Sequence, residues 1–189
     1  MFTLSRKHIK KNILLTLCTC LVCIAVSAQL RYDFGGKQID WVVVNDGVMG
    51  GLSQGEASNT ADGLLFKGAV SLENNGGFAS LRSPYGTYDL SSYTTITLRY
   101  RSATHAFAIT LNKHRRFWMP VFKKALPLTD GEWKTISFVL DDFESYRLGK
   151  FVGNNPTVED LKKTIRLGFI SNEKRASPFE FEIDYIQFE

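Results

Sequence analysis

The sequence predicts an all-β fold, an antiparallel β-sandwich of jelly-roll type. Three observations point there. Apolar and polar residues alternate with period two in run after run. Turn-forming clusters of Asn, Asp, Gly and Pro separate the runs. Helical periodicity is confined to one short stretch. Strict alternation marks strands with one buried and one solvated face, the habit of antiparallel sheets. Many short strands without crossover helices imply a sandwich or jelly roll.

In chain order, the first element is a leader. Arg6, Lys7, Lys10 and Lys11 precede an apolar run from Ile13 to Val26, which ends in the small residues Val26-Ser27-Ala28. This is the pattern of a cleaved secretory signal peptide over 1–28, and the run is short for a membrane span. The domain is then expected at 29–189, starting with Gln29, in an exported, periplasmic or secreted protein. Those four basic residues account for the whole excess of 23 Lys and Arg over 19 Asp and Glu. The remainder is formally neutral, so a nucleic-acid partner loses its main support. The three cysteines, Cys18, Cys20 and Cys23, also fall in the leader. Disulfides, thiolate catalysis and cysteine-ligated zinc are excluded from the domain.

The strands follow. Leu64, Phe66, Gly68, Val70 and Leu72 share one face. Ile96, Leu98 and Tyr100 share another, opposite Thr95, Thr97, Arg99 and Arg101. Phe107, Ile109 and Leu111 come next, then Ile136, Phe138 and Leu140, then Ile165, Leu167 and Phe169. The last run sets Phe179, Phe181 and Ile183 against Glu180, Glu182 and Asp184. Turns are expected at Asn45-Asp46-Gly47, Ala61-Asp62-Gly63, Asn74 to Gly77, Thr129-Asp130-Gly131 and Asn154-Asn155-Pro156. The one helix candidate is Thr157 to Lys163, with Thr157 as N-cap and Asp160 as an imperfect capping box.

Several motifs stand in a shared order: Trp41 and Val44-Asn45-Asp46-Gly47-Val48-Met49-Gly50-Gly51 with Ser53; Gly76-Gly77-Phe78-Ala79-Ser80-Leu81-Arg82-Ser83; and Tyr88-Asp89-Leu90-Ser91-Ser92-Tyr93. Trp133 with Ile136, Phe138, Leu140 and Phe143 follows, then Ile165 to Ser171, then Pro178 to Ile186. From about Asp33 to Phe188 the chain resembles the complex I intermediate-associated protein 30 family. The resemblance implies a galactose-binding-like jelly roll and a non-enzymatic assembly-factor role, since mitochondrial members help assemble respiratory complex I. The secretory leader departs from a mitochondrial transit peptide, so the resemblance carries fold better than cellular role.

The opening motif admits three readings. Gly51-Leu52-Ser53-Gln54-Gly55 has the spacing of a hydrolase nucleophile elbow. No helix pattern follows it, and His105 and His114, the bases within the domain, have no orienting partner in view. The glycines offer backbone N–H groups to a phosphate, but Glu56 stands where a P-loop has Lys-Ser/Thr. The third reading is architectural: turn residues tolerant of positive φ, Trp41 and Val43 anchoring the preceding strand, and Met49 as apolar filler. Asn45 and Asp46 are also candidate binding residues at a sandwich rim.

Lys113-His114-Arg115-Arg116-Phe117-Trp118 is the one dense basic-aromatic cluster. It is either a charged hairpin tip or a contact patch, with Arg115, Arg116 and Trp118 as its binding candidates. Asp141, Asp142, Glu144 and Asp184 raise a glycosidase reading that lacks any other acid–base device. No cofactor is expected, although the oxygen-rich chemistry admits a structural calcium ion. The expected function is therefore a non-enzymatic binding or assembly-factor domain. The alternative is a carbohydrate-binding module that uses Tyr85, Tyr88, Trp118 and Tyr146 as sugar platforms. The partner is a protein or a glycan, not nucleic acid, with no membrane span after the leader and a monomeric chain. Mass spectrometry of the envelope fraction should find the N-terminus at Gln29; intact Met1 on cytoplasmic protein would overturn the export reading.

Overall fold

The computed structural model describes residues 29–38 and 40–189, so the expected leader lies outside the described residues. In chain order the strands are β1 (Leu30–Asp33), β2 (Val42–Asn45), β3 (Gln54–Asn59), β4 (Leu64–Val70) and β5 (Ala79–Arg82). Next come β6 (Thr95–Ser102), β7 (Phe107–Asn112), β8 (Val121–Ala125) and β9 (Lys134–Val139). Last are β10 (Glu144–Arg147), β11 (Lys150–Gly153), β12 (Arg166–Ser171) and β13 (Ser177–Phe188), with one helix, α1 (Val158–Lys162), before β12. They make a six-stranded sheet ordered β3-β4-β13-β6-β9, with β1 beside the second half of β13, and a seven-stranded sheet ordered β11-β10-β8-β7-β12-β5-β2. The pairings of these strands are antiparallel. The two-sheet all-β sandwich expected from the alternation is present.

Inward residues of both sheets interlock in one core. Phe107 packs 4.8 Å from Phe181, Phe169 lies 4.9 Å from Phe181, and Phe66 lies 4.8 Å from Phe179, measured between ring centroids. Burying each such ring contributes about 2–3 kcal/mol. Trp41 anchors its strand as expected, stacked on Phe169 at 5.6 Å. On α1, Asp160 completes the capping box: its carboxylate accepts from the Thr157 N–H at 3.0 Å, while the Thr157 hydroxyl accepts from the Asp160 N–H at 3.2 Å.

Three expectations change, and the register of β13 adds a feature that the alternation does not show. Leu72 lies beyond β4, exposed, where the chain enters a 3₁₀ turn. Met49 is exposed and fills no gap in the core. In β13 the register against β6 shifts between Ile183 and Tyr185, so the inward set changes from Phe179, Phe181 and Ile183 to Ile186 and Phe188. A bulge of one residue moves every later side chain to the other face. Glu182, expected on a solvated face, is only 2% exposed, held by Arg101 and by the Thr60 hydroxyl at 2.6 Å.

The chain changes sheets twice around one carboxylate. Between β2 and β3 and again between β4 and β5 it passes from one layer to the other. Asp46, 1% exposed, accepts from the Ser53 N–H at 2.9 Å and hydroxyl at 2.5 Å on the first crossing, and from the N–H groups of Gly77 at 2.6 Å and Phe78 at 3.1 Å on the second. The Ser53 hydroxyl also accepts from the Ser71 N–H at 3.0 Å. A Cβ at Gly51 would meet the Asp46 carboxyl carbon at 2.4 Å, which explains glycine there.

Burial alone would raise the Asp46 pKa, but the hydrogen bonds from Ser53, Gly77 and Phe78 outweigh it and hold the group below its ordinary value. Its stabilisation is therefore present above the unfolded pKa of about 4 and lost as pH falls through the lower folded value. Asp46→Ala strands several buried donors and should lower stability by about 3 kcal/mol at neutral pH. Asp46→Asn should also weaken the acid-side loss. Urea midpoints measured from neutral to acidic pH check both, and a parental midpoint for Asp46→Ala would refute the assigned role.

Candidate functional site

The outer faces of the two sheets treat charge differently. On the six-stranded sheet, cations meet carboxylates: Arg99 and Asp184 at 2.5 Å, Arg101 and Glu182 at 2.6 Å, Lys67 and Glu56 at 3.2 Å. Arg99 and Arg101 also lie over the Trp133 ring, at 4.7 and 5.0 Å. On the seven-stranded sheet, Arg82, Lys123 and Arg166 have no carboxylate within 4.0 Å among the described residues.

Strand register places these cations. Arg82 on β5 lies opposite Gly168 on β12, which lies opposite Thr110 on β7, then Lys123 on β8 and Glu144 on β10. Ser80, Ile170, Ala108 and Ala125 form the next row. Several outward positions on the central strands are thus small or short, with Arg82, Arg166 and Ile170 the long ones. Ser80, Ala108, Thr110 and Gly168 are buried, and longer side chains stand beside them. The result is a band of small residues running across the strands, covered and flanked by longer polar side chains. Gly168 sits in a tight place: a Cβ there would come 2.9 Å from the Thr110 hydroxyl and 3.2 Å from the Leu81 carbonyl.

The longer side chains are fixed by local contacts. Arg82 Nε donates to the Ser80 hydroxyl at 2.9 Å, and Arg166 Nε donates to the Ser83 carbonyl at 2.7 Å. The guanidiniums of Arg166 and Arg115 lie 4.2 and 4.3 Å from the Tyr85 ring, which joins the β7–β8 loop to the sheet face. Burial, then the neighbouring Arg166, pushes the Arg82 pKa below its ordinary value. Lys123 donates to the Asn172 side chain at 2.8 Å and lies 4.0 Å over the Tyr146 ring. Burial also lowers the Lys123 pKa, against the opposing charge of Glu144. The Tyr146 hydroxyl donates to Glu144 at 2.7 Å, and its ring meets Phe151 edge-on at 5.9 Å.

A model of the family described as Complex I intermediate-associated protein 30 (CIA30) matches residues 32–183. The chain belongs to the CIA30 family. No curated protein matches it in sequence. Among solved structures, the family 11 carbohydrate-binding module of the cellulosomal cellulase Lic26A-Cel5E of Clostridium thermocellum superposes with a TM-score of 0.64 at 15% identity, over 87% of this chain and 95% of the module. The Clostridium thermocellum family 11 module in complex with a β-1,3-1,4-mixed-linked tetrasaccharide gives 0.62 at 15% identity, over 85% and 94%. An agarase, AgWH50C, gives 0.55 at 11% identity, over 85% of this chain and 24% of the agarase. At such identities these likenesses show the fold, the sandwich that the alternation predicts.

In this CIA30 domain the expected site residues are not brought together. Asn45 and Asp46 lie at the β2 end of the seven-stranded sheet that meets Ala79 and Ser171. Arg115, Arg116 and Trp118 lie beyond Asn112, at the opposite end. The Asp46 oxygens are occupied by the crossing contacts, while Asn45 Oδ1 is buried without a partner. Ser53 bonds Asp46 and Ser71, and β3 follows it where an elbow needs a helix. His105 is buried with Nδ1 2.9 Å from the Ser177 hydroxyl, in the loop expected for it. Of the four acids behind the glycosidase reading, Glu144 and Asp184 sit on different sheets. Among the described residues no group of His, Cys, Asp and Glu could hold a metal ion, and no helix is long and apolar enough to cross a membrane.

Of the expected platforms, Tyr85 and Tyr146 flank the polar row. Tyr88 instead packs toward the core, with its hydroxyl on the Pro84 carbonyl at 3.0 Å. Trp118 stands at the tip, T-shaped against Phe117 at 5.1 Å. Arg82, Lys123 and Arg166 were missed because each occupies a polar position of an alternating strand, the pattern of any solvated face. The available signal was the sign of the charge, basic at these outward positions of β5, β8 and β12. Trp118 is 41% exposed and lies outside the core. Trp118→Ala should therefore stay folded, within about 0.5 kcal/mol of the parent by urea unfolding; a loss of several kcal/mol would place the ring in the core.

Proposed function

We propose that the protein is an exported, non-catalytic binding module that holds an extended glycan across the outer face of the seven-stranded sheet. The observation that carries this is the row from Arg82 to Glu144: a buried band of small residues, the longer polar side chains that cover and flank it, and Tyr85 and Tyr146 beside it. Binding sites combine a few well-placed polar groups with aromatic lining. The row crosses the strands and is wider than one sugar ring, which suits a chain rather than a monosaccharide. A fold shared with modules that include one solved with a tetrasaccharide supports the same reading. It needs no cofactor and no second copy of the chain.

A second reading is favoured by the family and by the exposed Phe117 and Trp118 at the tip: a protein partner, docked there as an assembly factor would dock. Affinity electrophoresis against a panel of soluble polysaccharides separates the two. The protein should be retarded by at least one of them. Tyr146→Ala should weaken that retardation about tenfold, the effect of about 1.4 kcal/mol for a lost stacking ring. Folded protein retarded by none of the panel removes the glycan reading and leaves the protein partner.

A further inference from the structure

The cations of the row pose a problem that stability does not answer. Withdrawing a charge from water is unfavourable unless a partner compensates it. On the opposite face this same chain supplies a carboxylate to Lys67, Arg99 and Arg101. On the seven-stranded face it sets two guanidiniums, Arg115 and Arg166, over one tyrosine, with Arg82 close enough to Arg166 to feel its charge, and Glu144 is the only carboxylate in the register row. Burial and mutual repulsion already disfavour the charged form of Arg82.

The donors left over have a definite geometry. Each arginine uses Nε on a protein oxygen, Ser80 Oγ for Arg82 and the Ser83 carbonyl for Arg166. Among the described residues their terminal nitrogens have no protein acceptor. A guanidinium anchored through Nε keeps both terminal nitrogens for another acceptor, and that fork matches a planar or tetrahedral oxyanion bidentately; Arg82 is half-buried and Arg166 is 9% exposed. Lys123 stands three strands from Arg82 in the same row, about 14 Å at the usual strand spacing. Positive groups at both sides of a small-residue band suit a polymer that repeats its negative charge.

We infer that the ligand laid along this row is an anionic glycan, whose carboxylate or sulfate groups are taken by Arg82, Arg166 and Lys123. The inference rests on the glycan reading of this face. Glu144, beyond Lys123, confines the anionic stretch to the Arg82 side and leaves the Tyr146 end for an uncharged ring.

The test titrates the folded protein with polygalacturonate, κ-carrageenan and a neutral mixed-linked β-glucan, each at low and high salt. Arg82→Gln and Lys123→Gln are compared with Lys37→Gln, an exposed cation in the β1–β2 connection without an ion pair among the described residues. Thermal unfolding confirms that each variant folds. At least one polyanion should bind more tightly than the glucan, and salt should weaken that binding. Each of Arg82→Gln and Lys123→Gln should weaken it about tenfold or more, as expected for a lost hydrogen bond to a charged group, with Lys37→Gln unchanged. Binding of polygalacturonate alone assigns carboxylates, and of carrageenan alone, sulfates. If the glucan binds as tightly as the polyanions and only Tyr146→Ala weakens it, the glycan reading stands and the anionic class falls. If Lys37→Gln weakens polyanion binding as much as Arg82→Gln, the attraction is diffuse and the inference falls. If no polysaccharide binds, both readings fall together.

Discussion

The buried carboxylate of Asp46 is the contact on which the arrangement of the two sheets depends. Two successive sheet crossings, β2 to β3 and β4 to β5, converge on it. A crossing chain leaves its ladder and must satisfy its N–H groups elsewhere. One carboxylate does this for Ser53, Gly77 and Phe78 together, with charge-assisted bonds stronger than neutral ones. The glycines around it follow from the volume that the carboxylate occupies. A Cβ at Gly76 would come 2.7 Å from an Asp46 oxygen, and Gly50 turns the chain at φ 88°. A stretch that resembles an enzyme motif on paper is therefore the joint of the sandwich. It also governs the proposed site, because β5, which carries Ser80 and Arg82, starts directly after the second crossing.

Given that joint, the two outer faces diverge by composition. The six-stranded face matches each of Lys67, Arg99 and Arg101 with an acid and covers Arg99 and Arg101 with Trp133. The seven-stranded face keeps its cations and buries small polar residues at its centre. Outer faces of antiparallel sheets are ordinarily solvated. On this face the central positions include Ala108 at 0% and Ser80 at 1% exposure, covered by longer side chains such as Arg82, whose Nε rests on Ser80.

Much of the fold was legible in the sequence because alternation reports burial directly. Runs such as Ile96 to Tyr100 and Leu167 to Phe169 name their inward faces without ambiguity. Short edge elements left no such record. The burial of β10 and β11 is too slight for a pattern to show, and β1 is defined by pairing with the end of β13 rather than by its own residues. The bulge at Asp184 was illegible for another reason. Its extra residue is a polar side chain in a polar position, and only the pairing with Arg99 and Tyr100 reveals the shift. The basic-aromatic tip was visible, being contiguous. The row was not, since Arg82, Lys123 and Arg166 are distant in sequence and meet only through register.

That contrast bears on how a site of this kind is encoded. A strand has two faces, and each residue choice serves one of them. In β12, Leu167 and Phe169 serve the core while Arg166, Gly168 and Ile170 serve the outer face. Gly168 is costly for a central strand, since glycine packs poorly and loses more entropy on folding than other residues. The core does not call for it, because its missing side chain would point outward, against Thr110 and Arg82. It leaves room on the outer face for the Thr110 hydroxyl and the Leu81 carbonyl. A residue that weakens its strand, with no gain to the core, is explained by what the outer face must accommodate.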